Sequence, residues 1–193
     1  MAYGFLKGMG LDGDLGTITF DPAANKASAS AGHEVVSCAD GKITLKSSKL
    51  PFAPGPGDLK NDDSIRAGLA LVPFDDELNR FILKIESPTA ANYEVSWGET
   101  TKAYTAEQMK AGVNLAKDFE ANPLQAPFKR IWDAVEAKQA YETRQIKTLV
   151  HGPEGAADLE ATFAITEKAR AKLVKALSET KQPAEHAIVV RTR

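Results

Sequence analysis

The sequence predicts an α+β fold in which antiparallel, sandwich-like β-meander sheets lie between a short N-terminal helix and a C-terminal helical hairpin. The first observation is a series of short segments with alternating apolar residues, separated by glycine and Asp-Pro turns, between residues 17 and 104. The second is a pair of long segments after residue 126 whose apolar residues recur at helical spacing. A chain of 193 residues is long enough to bury one ordinary core or two small ones.

The chain begins with an apolar helical stretch that has almost no polar face. Its apolar residues are Ala2, Tyr3, Phe5, Leu6 and Met9, and no N-cap residue precedes them. A helix that is apolar nearly all round is usually buried in the interior of a protein. We therefore expect residues 1–16 to be the residual helix of a larger, truncated domain.

The β-rich part is expected to cover residues 17–122 and to contain two meanders. Alternation across Tyr93, Val95 and Trp97 is typical of a half-buried strand. An acidic helical turn is expected at residues 75–78, and residues 50–63 are too rich in proline and glycine to be more than a connector. The strands are expected at residues 17–20, 26–30, 34–38, 42–47, 65–74, 80–86, 92–97 and 101–104.

Helices dominate the remainder of the chain. Thr105 and Gln108 form a capping box at the start of one helix, and Pro127 suits the first turn of a long helix that Gly152 and Pro153 end. A second long helix is expected over residues 154–179, followed by a strand at residues 187–190 that returns to the sheet. Residues 123–193 are thus predicted to be a helical hairpin with a final strand.

Composition excludes several classes of partner. A net charge of −2 with interleaved Lys and Glu gives no basic face for nucleic acid or anionic lipid. The single cysteine, Cys38, excludes an internal disulfide. No apolar run approaches the roughly 18 residues of a membrane span, and residues 1–10 lack the features of a signal peptide. We expect a soluble chain, and the sequence assigns it no compartment.

No recognised nucleophile motif is present. The sequence lacks Gly-x-Ser-x-Gly, and the segment around Ser64 imitates a Gly-Asp-Ser block without its glycine or a preceding buried strand. Ser64 is therefore expected in a polar loop that enters a strand. Cys38 could act as a nucleophile with a histidine base, but His33, five residues away, would point from the opposite face of a strand. His151 and His186 remain candidate partners, while a small core residue is the simpler interpretation of Cys38.

A metal or cofactor site is weakly indicated. His33-Glu34 resembles the start of a zinc-protease motif, but Ser37 stands where the second histidine is needed. The carboxylates could bind a divalent cation, but their spacing is not specific for one, so solvated acidic turns are the simpler interpretation, and no other cofactor is predicted. Large aromatic side chains at Trp97, Phe128, Trp132 and Phe163 are expected on buried faces. The carboxylates in question are Asp12, Asp14, Asp62, Asp63, Asp75, Asp76 and Glu77.

Five segments carry a resemblance to a known family: residues 1–7, 62–68, 72–80, 112–116 and 137–147. Together they resemble the C-terminal region of bacterial SGNH/GDSL-type esterases and acylhydrolases. In that family a Met-Ala-Tyr-like helix follows the Asp-x-x-His block that supplies the catalytic acid and base, and the serine lies far upstream. The resemblance implies serine-dependent hydrolysis of carboxylic esters by a parent protein, with no catalytic residue of this sequence inherited.

Three functions follow as hypotheses. The first is a catalytically incomplete accessory domain whose first helix, left without its parent domain, self-associates into a homo-oligomer. The second is a stand-alone hydrolase of activated esters or phosphoesters that uses a new Cys/His or metal-carboxylate site, with a dimer interface as one candidate place for it. The third, carbohydrate or protein binding by the β-meander, depends on whether Trp97 is exposed.

Overall fold

A computed structural model describes residues 1–55, 58–61 and 64–193. Its strands are β1 (Asp14–Asp21), β2 (Lys26–Ala29), β3 (His33–Ala39), β4 (Lys42–Ser47), β5 (Arg80–Ile85), β6 (Asn92–Trp97), β7 (Thr100–Thr105), β8 (Val113–Asn114) and β9 (Ala184–Thr192). Its helices are α1 (Ala2–Gly8), α2 (Ile65–Leu69), α3 (Phe74–Glu77), α4 (Ala106–Ala111), α5 (Leu115–Asp118), α6 (Gln125–Arg144), α7 (Pro153–Ala157) and α8 (Leu159–Thr180). A π-helical segment, Gln145–Val150, continues α6.

The strands form two sheets. The smaller has the order β2-β1-β5-β8, and its central pair, β1 and β5, is parallel. The larger has the order β3-β4-β9-β6-β7 and is antiparallel throughout. Strand β9 joins two hairpins, because it pairs with β4 on one side and β6 on the other. The predicted final strand is confirmed as the central strand of the larger sheet.

Alternate side chains of both sheets point inward and form one core. Ile18 and Phe20 of β1 lie in the same buried cluster as Leu45 of β4 and Trp97 of β6. Trp97, Tyr93, Phe81 and Phe119 are its largest fully buried side chains. With the short N-terminal helix and the C-terminal helices, this sandwich confirms the α+β prediction.

One predicted strand is wrong. Residues 65–74 form no strand, since α2 occupies Ile65–Leu69 and α3 begins at Phe74. Ser64 accepts a hydrogen bond from the backbone N–H of Ala67 at 3.0 Å and thereby starts a helix. The apolar run suggested burial, yet Leu71 is 84% exposed. The cap at Ser64 therefore favours a helix in this segment over the strand that the apolar run predicts.

The predicted orientation of His33 relative to Cys38 is also wrong. The register of β3 against β4 shifts between Val35 and Ser37, which marks a β-bulge. An extra residue reverses the alternation of side chains beyond it. His33 and Cys38 therefore both point toward the core, with Val36 left exposed.

The chain divides into two compact units. The sheet unit comprises residues 1–125 and 183–193, and the helical unit comprises residues 126–182. In the helical unit, the expected helix over residues 154–179 is interrupted at Asp158, whose side chain caps α8 by accepting from the N–H of Ala161 at 2.9 Å. The buried contact between its helices is polar, because Gln145 donates to Thr166 at 3.0 Å and to Glu167 at 2.7 Å.

None of the described helices is both long and apolar enough to cross a membrane.

Candidate functional site

Two of the predicted histidines meet in the interior of the sheet unit. His33 opens β3 and lies opposite Ser47, the last residue of β4, while His186 lies opposite Leu45 near the start of β9. Trp97 ends β6 and lies opposite Ile188 of the same strand β9. The four side chains therefore converge at one end of the larger sheet.

Hydrogen bonds connect these side chains in series. The indole N–H of Trp97 donates to Nδ1 of His186 at 3.0 Å, and Nε2 of His186 lies 2.8 Å from Oγ of Ser47. Oγ of Ser47 lies 2.7 Å from Nδ1 of His33, and Nε2 of His33 lies 2.8 Å from the carbonyl oxygen of Leu15 in β1. We call this series, from Trp97 to Leu15, the histidine relay.

The two end groups of the relay, the indole of Trp97 and the carbonyl of Leu15, determine which atom donates in every hydrogen bond between them. Because the indole can only donate, Nδ1 of His186 accepts, and a neutral His186 then carries its proton on Nε2 and donates it to Ser47. Because a carbonyl can only accept, His33 carries its proton on Nε2 and accepts from the Ser47 hydroxyl at Nδ1. Two neutral imidazoles thus satisfy all donors and acceptors in the series.

Burial favours these neutral forms. Burial, followed by the nearby His33, lowers the pKa of His186 to about 4. Burial is also the main cause that lowers the pKa of His33. His33 stacks on Phe81 with ring centroids 4.9 Å apart, and His186 is only 5% exposed. At neutral pH both imidazoles are uncharged.

The relay resembles a nucleophile and base only in part. The Ser47 hydroxyl donates to a histidine, as a catalytic serine does, but the second nitrogen of that histidine bonds a backbone carbonyl instead of a carboxylate. Ser47 is 0% exposed, so a substrate has no access to its hydroxyl in this conformation. The geometry instead makes the relay a polar cross-link between the two sheets.

Sequence reasoning identified His33 and His186 but missed Ser47 and the role of Trp97. The signal that was missed is the alternation of inward and outward side chains along β4. Ser47 follows Ile43 and Leu45 on the inward face, so a polar residue stands where this alternation predicts an apolar one. A buried hydroxyl needs a partner. That position should have indicated a polar network in the core.

The other candidate nucleophiles are held in structural roles. Cys38 packs against the core, and burial raises the pKa of its thiol, which disfavours the reactive thiolate. Among the described contacts, no hydrogen bond joins Cys38 to a histidine. Ser64 donates to the carbonyl of Asp58 at 2.6 Å as well as capping α2. His151 lies exposed at the end of the π-helical segment in the other compact unit.

Three of the candidate carboxylates, those of the acidic turn before β5, are engaged by protein groups. Asp75 accepts from the side-chain amide of Asn79 at 2.8 Å, Asp76 pairs with Lys117 at 2.7 Å, and Glu77 pairs with Lys7 of α1 at 3.0 Å. Within the described part of the chain, no group of three or more His, Cys, Asp or Glu side chains is placed to hold a metal ion. Asp62 and Asp63 lie outside the described residues.

Two asparagines connect segments that are distant in sequence. Asn79, 1% exposed, accepts from the N–H of Phe52 at 2.8 Å and donates to its carbonyl at 3.2 Å. Asn114 donates to the carbonyls of Asp75 and Asn79 at 2.8 and 3.1 Å and accepts from the N–H of Phe81 at 3.1 Å. We call these contacts the asparagine cluster. It binds residues 72–80 to residues 112–116.

The aromatic predictions are partly correct. Trp97 is fully buried, as expected, so it offers no exposed surface for stacking a ligand. Trp132 and Phe163 of the helical unit were expected on buried faces, but they are 43% and 38% exposed. Their helices contact each other through polar side chains, which leaves apolar residues on the outside.

Comparison with known proteins gives a likeness of fold. No protein-family model and no curated protein matches the chain. A solved structure described as a gut microbial diltiazem-metabolizing enzyme matches it with a TM-score of 0.65 and 19% sequence identity. The match covers 100% of this chain and 53% of that one, so the chain spans about half the length of the structure it resembles.

Proposed function

We propose that this chain is the C-terminal accessory part of an SGNH/GDSL-type ester hydrolase and holds no catalytic triad of its own. The observation that carries the proposal is the asparagine cluster. Two of the segments that resemble the family, residues 72–80 and 112–116, are hydrogen-bonded to each other there. A third, residues 1–7, reaches the same place, because Tyr3 and Lys7 both contact Glu77.

The structural neighbour agrees with a place in a larger protein, and it does not bear on the SGNH/GDSL family. That protein is named as a metabolizing enzyme, and this chain matches about half of it. An accessory role also agrees with the states of Ser47, Cys38 and Ser64, which serve as a buried cross-link, a core residue and a helix cap. In this proposal the reacting groups belong to another part of a larger protein.

The test is a labelling and turnover assay on the purified chain. A fluorophosphonate probe, p-nitrophenyl acetate, an aryl phosphotriester and diltiazem are supplied with and without EDTA. We expect no covalent labelling and no turnover above a mock purification. Matched Ser47→Ala and Cys38→Ala variants identify the source of any signal. Turnover abolished by either variant or by the chelator would contradict the proposal and support a stand-alone hydrolase with a new site.

We further propose that the chain forms a homo-oligomer through α1. Phe5 of this helix and Met9, its C-cap residue, are 69% and 56% exposed, and α1 has no buried residue. Apolar residues grouped on one short helix favour association, since contact with another apolar face removes them from water.

The double substitution Phe5→Ser and Met9→Ser is expected to weaken dimerisation at least tenfold, because it removes two large apolar contacts.

Sedimentation velocity over a range of protein concentrations measures this change. The control is Ile165→Ser, which removes an equally exposed apolar side chain from α8 of the helical unit. A monomer at all concentrations, or a dimer weakened only by the control variant, would contradict a dimer formed through α1.

A further inference from the structure

The helical unit, residues 126–182, buries no large apolar side chain. Its buried residues are Gln145, Gly155, Thr162 and Thr166. Yet α6 has 20 residues and α8 has 22, and helices in proteins owe most of their stability to the packing of an apolar face. The two long helices therefore carry apolar residues for a core that one hairpin does not complete.

The two long helices are antiparallel and meet along a polar seam. Glu142 of α6 pairs with Arg170 of α8 at 2.7 Å. Gln145, which follows α6, donates to Thr166, which precedes Arg170 on α8, at 3.0 Å. Positions advance along the first helix as they go back along the second, so these contacts fix both the direction and the register of the pair.

Apolar side chains form a row on the same side of each helix. Trp132 and Ile146 on the first helix, and Phe163 and Val174 on α8, each directly follow a residue that is buried or half-buried. One residue is a rotation of about 100°, and in antiparallel helices that face each other, equal rotations along the two chains lead to the same side of the pair. All four side chains are 38–45% exposed. We call this side of the hairpin the paired face.

The centre of the paired face carries equal numbers of opposite charges. Glu142 pairs with Lys138 and with Arg170, both at 2.7 Å, and Arg170 also pairs with Glu167 at 3.3 Å. Because the two cations and two anions cancel, a strongly acidic or basic partner gains no net attraction here. A charge pattern of this kind complements itself, since each cation of one copy can meet an anion of another.

The register of the hairpin also suits a self-complementary contact. A two-fold axis parallel to the helices lays the first helix of each copy on α8 of the other. Since Glu142 and Arg170 lie at the same height in the hairpin, this rotation brings Glu142 next to Arg170 of the second copy. Ile146 and Phe163 flank the next hydrogen-bonded pair of the seam, so they also meet across the contact. Apolar ends then lie on apolar ends, and the charged centres lie on each other.

The paired face is large enough for a dimer. A helix of 20 residues is roughly 30 Å long, and two packed helices are about 20 Å wide. Each copy therefore contributes about 600 Å², and two copies bury about 1,200 Å², which lies within the range of specific protein interfaces.

We propose that the paired face binds a second copy of this chain, and that the two hairpins form a four-helix bundle. Apolar residues of both copies then supply the core that one hairpin lacks. The contact is distinct from the association through α1, because α1 belongs to the sheet unit. It does not rest on the accessory role either. Two separate contacts on one chain allow assemblies larger than a dimer, so the test removes the α1 contact first.

The test uses the whole chain with Phe5→Ser and Met9→Ser, so that association through α1 does not obscure the result. Sedimentation velocity over a range of concentrations should still detect a dimer. Phe163→Ser and Ile146→Ser, added singly, should each weaken this dimer about tenfold, because each removes a large apolar contact from the face. Ile165→Ser is the matched control, since Ile165 is exposed but directly precedes a buried residue of the seam and so lies on the opposite side of α8.

Tryptophan fluorescence gives a second measurement, made without altering the paired face. The chain has two tryptophans, of which Trp97 is fully buried and Trp132 is 43% exposed. Dimerisation should cover Trp132. Raising the protein concentration should therefore shift the emission to shorter wavelength and reduce its quenching by iodide, and Trp132→Phe should abolish both changes.

Two outcomes would overturn the proposal. One is a monomer at every concentration, with iodide quenching that does not change. The other is a dimer that Ile165→Ser weakens as much as Phe163→Ser, because the contact would then lie elsewhere on the chain. Neither outcome depends on ester turnover, so the labelling assay for the accessory role is decided separately.

Discussion

Acidification from pH 7 to pH 4 is expected to lower the free energy of unfolding by about 3 kcal/mol through His186 alone. Its pKa is lowered from 6.5 to about 4 in the folded chain, mainly by burial. Between these two values the unfolded state binds a proton that the folded state does not. The stabilisation that the neutral His186 contributes is therefore fully present above pH 6.5, and it is lost as the pH falls toward 4. His33, whose pKa is also lowered, changes stability in the same direction.

Urea unfolding at a series of pH values measures this loss. His186→Gln keeps a polar side chain but cannot titrate, so its stability should fall by about 3 kcal/mol less over the same range. His151→Gln is the matched control, because it makes the same substitution at an exposed histidine outside the sheet unit. If His186→Gln and the wild-type chain showed the same slope against pH, the buried neutral histidine would be excluded as its cause.

Ser47→Ala is expected to destabilise the sheet unit by about 3 kcal/mol, although it removes a single oxygen atom. The hydroxyl of Ser47 lies between Nε2 of His186 and Nδ1 of His33 at 2.8 and 2.7 Å. Without it, a buried N–H loses its acceptor and a buried ring nitrogen loses its donor. Each unpaired group costs about 1–3 kcal/mol, far more than the serine-to-alanine change costs on a surface.

Chemical denaturation at pH 7 measures the difference. Ser48→Ala is the neighbouring control, because its exposed hydroxyl donates to the carbonyl of Gly32 at 3.0 Å and its loss should cost less than about 1 kcal/mol. A Ser47→Ala variant as stable as Ser48→Ala would mean that the relay does not cross-link the sheets.

The fold was predictable to the extent that local signals and burial agree. Alternation placed Tyr93, Val95 and Trp97 on one inward face, and the capping box at Thr105 and Gln108 is present as expected. Residues 65–74 show where such prediction fails. Their apolar run predicts a strand, but the side chain of Ser64 caps a helix at the start of the same segment. Near Val36 the bulge inserts one residue, and no residue type in that strand marks it in advance.

The site was less predictable than the fold. His33, Ser47, Trp97 and His186 come from four strands, and the pairing order that brings them together depends on contacts across more than a hundred residues. Histidines can be recognised as candidates by type, but their partners cannot.

The position of β9 determines when this protein can acquire its structure during synthesis. The β3–β4 and β6–β7 hairpins precede residues 106–183 in the chain, whereas β9, which lies between them, follows. Both hairpins therefore leave the ribosome with an unpaired edge, and exposed strand edges invite pairing with other chains. Translation must pass the entire helical unit before the missing strand arrives. A long-range closure of this kind also makes folding slow.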